Sequence, residues 1–443
     1  MINRKSNLWK RLYAHLSRTR IIDCHSHLVT EEEYEKLDPP IGLFHPAWLH
    51  YFARDIEGLK DIKALKPSKY NNDRENWKVL KEAIDKAGNV TYFRHHWVVN
   101  KLLYNLELNE RNWRKINEEI KKHHSRKWWY RYLLKELSGI DLCVRNTFMA
   151  DEKSGCSPGV IVKRQWNDDY SVSSVMVSQL VSLSDSKPIK ILEKETDIHI
   201  KDMKSFILAI DKFLSTIKKE GAVAIKTNHA YLRTLFHERI SASCTENILS
   251  NVLRNKKTAE NEIKKIQDFI FWTLCEKAGE KDLVFQIHTG MQGNWNRIND
   301  SDPKHLIEPI RTFRQTKFDL FHCGYPFSID LGVMGKHYPN VWLNMAWMYA
   351  ISIQGARRIL DEWLDLVPGM KILGIGTDEP FPEIIAGHVY LARNCIADVL
   401  TKKIELDFLT EDVAFNLIEQ LLRKNGIFLY GLKKNPAITK TCM

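Results

Sequence analysis

His25 and His27 close a short apolar run, Ile21-Ile-Asp-Cys-His-Ser-His-Leu28, with one serine between them. In an extended strand alternate side chains share a face, so the two imidazoles stand side by side. Four later apolar runs end in a polar group of similar chemistry. Lys226 follows GAVAI, His288 follows LVFQI, His322 follows FDLF, and Asp378 follows ILGIGT. Imidazoles and carboxylates are the ligands that a Zn-type divalent ion favours, and five or six of them converging make a metal site. Singly, each has a plainer reading. A strand-end histidine is more often a hydrogen-bonded structural residue, and Asp after Gly-Thr is a common turn or helix-cap choice. Their joint placement at successive strand ends weighs against coincidence.

The elements that must carry these residues alternate along the chain. Candidate strands are Ile21 onward, Ile140–Val144, Ser174–Val181, Gly221–Ile225, Leu283–Ile287, Phe318–Phe321, Val341–Asn344 and Ile372–Ile375, with helical stretches such as Phe206–Lys219 and Glu260–Lys277 between them. Repeated strand–helix alternation predicts a parallel α/β sheet. Eight units are what a closed (β/α)8 TIM barrel requires, and such barrels react at the C-terminal ends of their strands. From about residue 31 to 135 no strand is evident, while Trp77–Ile84 and Trp97–Leu103 carry helical spacing of apolar residues. The expected organisation is one domain over residues 1–443, with a helical insertion after the first strand.

Composition bounds the classes. The chain has 443 residues, 44% of them hydrophobic, which suffices for a large core. Its formal charge of +11 arises from 66 Lys and Arg against 55 Asp and Glu. Over this length the excess mildly favours anionic small molecules and gives weak support for nucleic acid, so no nucleic-acid partner is expected. The eight cysteines form no CxxC pair, and a reduced cytoplasmic setting is the default. No apolar run nears the roughly 18 residues a membrane helix needs. The first 20 residues are basic, with Leu8, Leu12 and Leu16 at helical spacing, and are read as a packed helix rather than a targeting segment.

HxH on the first strand, histidines on the fifth and sixth, and Asp on the eighth resemble the amidohydrolase superfamily, from about Ile21 to Leu400. The runs IKTNHAYLR, QIHTG, HCGYP and YPNVWLN are similar to amidohydrolase-related metal-dependent hydrolases that include FluG-like N-terminal domains. The helical insertion and TDEPFPEIIAGHVYLARNCIADVL look more like uronate isomerases, from which the HCGYP run departs. The resemblance implies that His25, His27 and Asp378 ligate a metal. It makes His288 a ligand or a substrate-positioning neighbour. His322 would bind a second metal or orient water or substrate, and Lys226 matches a position where some members carry a carboxylated lysine bridging two metals.

The implied activity is metal-dependent hydrolysis of an amide, ester or lactone, with Asp378, His322 and His288 as the catalytic set and one or two divalent ions, Zn2+ first among them. Alternatives are aldose–ketose isomerisation of a uronate, decarboxylation, or a silent binding protein that keeps the barrel. Arg233 and Arg297 follow strand ends and could clamp a carboxylate, so the substrate is expected to be a small anion. Trp295, Tyr325, Trp347 and Tyr349 could wall the site, or simply close the barrel top. His95, His96 and Trp97 could form a lid, or a helix start on the barrel rim. In KKHHSRKWWYRY, helical spacing predicts Trp128 and Tyr132 facing inward and His123-His124 facing solvent. Cys24 alternates to the face opposite His25 and is read as a buried thiol. A homo-oligomer is left open.

Overall fold

Val284-Phe-Gln-Ile287 illustrates why these strands need two partners. Val284 joins an inner apolar cluster, while Phe285 and Ile287 pack outward into the larger core beneath the helices. Both faces are buried, so the run is apolar nearly throughout, as parallel strands covered on both sides are. The computed structural model describes residues 4, 6–37, 41–45, 48, 49, 52, 72–153, 161, 162, 167–293 and 297–439.

Eight parallel strands lie side by side in chain order. They are β1 (Ile21–Ser26), β2 (Ile140–Phe148), β3 (Ser171–Met176), β4 (Ala224–Thr227), β5 (Val284–Ile287), β6 (Phe318–Leu320), β7 (Val341–Asn344) and β8 (Ile372–Leu373). The Cys24 N–H donates to Ile375 O at 3.1 Å, and the Asp378 N–H to His25 O at 2.9 Å. These bonds join the segment after β8 to β1 and close the ring. The fold is the expected (β/α)8 TIM barrel.

Several limits differ from the sequence expectation: β2 runs on to Phe148 rather than Val144, and β8 ends at Leu373 rather than Ile375. The third strand is Ser171–Met176, and Ser178–Val181 is a helical turn. Val175, Val177, Leu180 and Val181 are all buried and so hide the turn, while the buried Ser171 and Ser173, ahead of the expected start, belong to the strand. The fourth strand begins at Ala224 rather than Gly221, because Gly221 turns the chain at φ +96°. Lys226 therefore lies within the strand.

Inside the ring, Ile22, Leu142, Val172, Ala224, Val284 and Trp342 form an apolar layer. Each fully buried side chain of this kind contributes roughly 1.5–3 kcal/mol. Leu429, Tyr430, Leu432 and Ile438, from the C-terminal segment, join that layer. The Tyr430 hydroxyl donates to the Asp319 carboxylate, and Gln286 Nε2 donates to Tyr430 Oη at 2.8 Å. Asn344 Nδ2 completes the network, 3.0 Å from Asp319 Oδ1. Burial pushes the Asp319 carboxyl up to about 7.

The helix Asn7–Arg18 packs against Pro382–Glu405, with Leu12 and Leu16 buried and Trp9 Nε1 donating to Asp398 at 3.0 Å. Among the described residues, no helix is long and apolar enough to cross a membrane. Between β1 and β2 the insertion supplies helices Glu31–Glu35, Asp73–Ala87, Thr91–Tyr104, Trp113–His124 and Trp129–Arg131. Here Trp129 and Tyr130 pack inward, whereas Trp128 is 52% exposed and His124 is buried. The chain breaks its helix between His124 and Trp129, so the phase of one continuous helix does not carry across.

Glu383, in the first turn of Pro382–Glu405, pins this insertion to the barrel. It accepts from the Tyr34 hydroxyl and from Trp129 Nε1 at 3.1 Å. Burial raises its carboxyl to about 7, against lowering by those two donors. A carboxyl raised in the folded state contributes fully below its unfolded pKa of about 4.3 and loses that contribution as pH climbs through about 7, a loss of roughly 4 kcal/mol. Glu383→Gln is expected to flatten the fall in unfolding free energy between pH 5 and pH 8 by about one proton. Denaturant titrations at both pH values check this; an unchanged slope would count against it.

Candidate metal centre

The β8 exit loop brings Asp378 to the two histidines of β1. Asp378 Oδ1 lies 2.9 Å from His25 Nε2 and 3.2 Å from His27 Nε2. The two imidazoles sit 5.1 Å apart between centroids, nearly perpendicular. Asp23 holds the loop to the strand: its carboxylate accepts from the Thr377 N–H at 2.9 Å and the Thr377 hydroxyl at 2.5 Å. Asp378, His322 and Trp347 all adopt positive φ, at 60°, 59° and 61°. Left-handed non-glycine residues cost about 1–3 kcal/mol each and cluster where a site needs a fixed direction. Burial opposes ionisation of Asp378, but the charges and hydrogen bonds of His25 and His27 prevail and hold it well below the usual carboxylate range.

Lys226, His288 and His322 complete a buried ring around this point. Lys226 Nζ is 3.1 Å from His25 Nε2 and 4.6 Å from the centre of the Phe321 ring. His322 Nδ1 donates to Ala346 O at 3.0 Å, and His288 Nε2 donates to Met291 O at 2.9 Å. These carbonyls accept only, so each imidazole carries its proton on the outer nitrogen. The inner nitrogens, His322 Nε2 and His288 Nδ1, then face each other at 2.8 Å. Burial lowers both residues, His322 to about 4 and His288 well below its ordinary value, so both are neutral near pH 7. Two lone pairs at that distance repel unless a cation stands between or beside them.

The first triad poses the same demand. His25 Nε2 cannot donate to Asp378 and accept from Lys226 at once, and His25 Nδ1 is buried without a hydrogen-bond partner. A donor set of imidazoles and a carboxylate, with acceptor atoms turned inward, fits a divalent ion of the Zn2+ type. His25, His27 and Asp378 offer one ligand atom each within 4.8 Å of one another.

Of the proposed substrate groups, Trp347 stands against the centre. Its ring is 5.4 Å from that of His322 and stacks on Tyr92 of the insertion at 5.8 Å. Tyr325 is half-buried three residues beyond His322, whose carbonyl accepts its N–H at 3.0 Å. Arg233 is held elsewhere: it bonds Asp268 at 2.6 Å, Gln267 at 3.0 Å and the carbonyls of Thr234 and Phe236. Arg297 is exposed at the start of a short turn, and Trp295 lies outside the described residues. Tyr349 donates to Gly374 O at 2.8 Å and belongs to the core. His95 and His96 are buried within the helix Thr91–Tyr104 rather than at its start.

Two groupings escaped the sequence reading. Thr227, His229, His237 and Asp268 form a buried chain, with the two Nε2 atoms 3.0 Å apart and His237 Nδ1 3.0 Å from Asp268 Oδ1. Glu379 meets His95 and His388 on the far side of the β8 loop. The signal for the second was the acid directly after Asp378, which reads as an ordinary surface residue until the loop is folded.

Comparison with known proteins agrees with this geometry. The chain matches the family model for glucuronate isomerase over residues 185–300 and that for amidohydrolase over residues 257–386. Protein fluG of Emericella nidulans is 28% identical over 166 residues, covering 36% of this chain and 19% of that protein. A uronate isomerase of Nostoc punctiforme is 22% identical over 234 residues, covering 48% and 49%. The chain thus spans about a fifth of the first relative's length and about half of the second's. The crystal structure of uronate isomerase from Thermotoga maritima superposes with a TM-score of 0.77 at 15% identity, covering 96% of this chain and 98% of that one. At that identity the superposition concerns the fold. Barrel, strand-end histidines and aspartate, and family matches define an amidohydrolase-type TIM barrel. Within that class, the chain is related to the uronate isomerases.

Proposed function

We propose that this enzyme is a metal-dependent hydrolase that cleaves an amide, ester or lactone bond in a small, carboxylate-bearing substrate. The convergence of His25 Nε2 and His27 Nε2 on Asp378 Oδ1, at 2.9 and 3.2 Å, carries this reading. His25, His27 and Asp378 would hold the ion, Zn2+ by the chemistry of the set, with His288, His322 and Lys226 beside them. Such an ion supplies Lewis acidity and lowers the pKa of water from about 15.7 towards about 7. Asp378, kept anionic by its two histidines, takes the proton of the attacking water and delivers it to the leaving group. His288 Nδ1 and His322 Nε2, both acceptors, would face the ion, and Trp347 stacked on Tyr92 would keep bulk water out. Six free cysteines among the described residues support a reducing, cytoplasmic setting.

The match to the glucuronate isomerase model favours a second reading. There the same groups would move a proton between adjacent carbons of an open-chain uronate. A panel of uronates, lactones, amides and aromatic carboxylates, offered to the zinc-loaded protein, separates the two. Bond cleavage with uptake of water is the expected result. Clean interconversion of a uronate with its keto form, without hydrolysis, would select the isomerase instead.

A further inference from the structure

We infer that a second divalent-cation site lies behind the first, built from His95, Glu379 and His388. Asp378 and Glu379 are consecutive, yet each meets a different histidine pair. Asp378 meets His25 and His27, and Glu379 meets His95 and His388. The second set joins three separate elements: the insertion helix Thr91–Tyr104, the β8 exit loop, and the helix Pro382–Glu405. All three residues are buried, at 1%, 1% and 0% exposure, so none faces bulk solvent.

The unpartnered atoms of the three residues favour a cation. His95 Nε2 donates to Ile384 O at 2.9 Å, which leaves Nδ1 as an acceptor. That nitrogen lies 3.7 Å from Glu379 Oε1, beyond hydrogen-bonding distance. Glu379 Oε1 and both ring nitrogens of His388 have no hydrogen-bond partner. The His95 and His388 rings stand 5.7 Å apart and nearly perpendicular, and one ligand atom from each of the three residues falls within 4.8 Å of the others. Buried polar atoms left unpartnered are costly, and gathered so closely they become a ligand set around a divalent ion. Two imidazoles and one carboxylate select a Zn2+-like transition ion over Mg2+ or Ca2+, which want oxygen.

The packing serves the same end. At Gly387 a Cβ would meet Val99 Cγ2 at 2.3 Å and the His95 ring at 3.1 Å. Only glycine lets the two helices approach closely enough to share the ion. This cation would staple the insertion to the barrel, which gives it a structural role distinct from the water-activating one proposed above.

The test uses the full chain, stripped by chelator and reloaded with Zn2+ or Co2+, with metal per chain measured by mass spectrometry. The double variant His25→Ala/His27→Ala removes the first site and leaves the second intact. It is expected to retain one equivalent, to show cobalt d–d absorption, and to melt higher with Zn2+. Adding His388→Gln or Glu379→Gln should remove that equivalent and the rise in Tm. Failure of the double variant to bind any ion would overturn the second site while leaving the first. An ion lost instead on adding His322→Ala would assign it to the first centre, and would overturn the proposal equally. Full wild-type stoichiometry in the double variant would sink the first site instead, so the two failures are distinct.

Discussion

Asp378→Asn is expected to reduce kcat/KM by about a thousandfold or more. The amide keeps the size of the side chain, and the Asp378 N–H bond to His25 O belongs to the backbone, so the loop should stay in place. What disappears is the anion that meets both His25 and His27, and with it the base proposed to accept the proton. General acid–base catalysis contributes about 10²–10⁴, and weakened metal binding adds to the loss. The expectation holds for hydrolysis and isomerisation alike, because both need a proton moved at this position. Steady-state kinetics with saturating zinc check it, beside a melting curve to show that the fold survives. An Asn variant with a tenth of wild-type activity would remove Asp378 from the mechanism.

The second large effect concerns stability. Asp268→Ala is expected to cost about 3 kcal/mol, because it leaves the largely buried Arg233 guanidinium and the buried His237 without the carboxylate they bind. Asp268 is 1% exposed and binds Arg233 Nη2 at 2.6 Å, Lys264 Nζ at 2.6 Å and His237 Nδ1 at 3.0 Å. His237 is buried and neutral, lowered to about 3, so it donates to Asp268 and accepts from His229. Burial by itself would raise the Asp268 carboxyl; the hydrogen bond from His237, the Arg233 charge and Lys264 outweigh it and bring it to about 2. A depressed carboxyl stabilises above its unfolded value of about 3.9, and that stability vanishes as pH falls towards 2. Wild-type protein should therefore lose stability between pH 4 and pH 2, and the Ala variant should lack that component. Urea titrations at pH 7 and pH 3.5 measure both. A penalty under 1 kcal/mol at pH 7 would show that the neighbours find other partners.

The two effects also separate what was readable in the chain from what was not. His25, His27, His288, His322 and Asp378 were legible because each follows an apolar run, and in a barrel the end of such a run is a fixed place. Strand limits were less legible where the code is ambiguous. Ser171 and Ser173 fall before the expected start of β3, yet both are buried in it. Arg233 shows the reverse case. Its position after β4 suggested a carboxylate clamp, but residues about thirty-five positions later, Gln267 and Asp268, hold its guanidinium. Nothing local to Arg233 foretells them.

By itself the sequence determined the alternation of strand and helix, the helical insertion after β1, and the chemical type of each strand-end ligand. These follow from apolar periodicity and side-chain chemistry, both of which are local. Only the tertiary structure decided which acceptors face one another. His322 Nε2 meets His288 Nδ1 because two carbonyls, Ala346 O and Met291 O, fix the tautomers from outside. Likewise only the fold turns Asp378 and Glu379, neighbours in the chain, towards two different histidine pairs. The physical reason is that a lone pair's direction depends on what the far side of the ring touches, and those contacts come from segments distant in sequence.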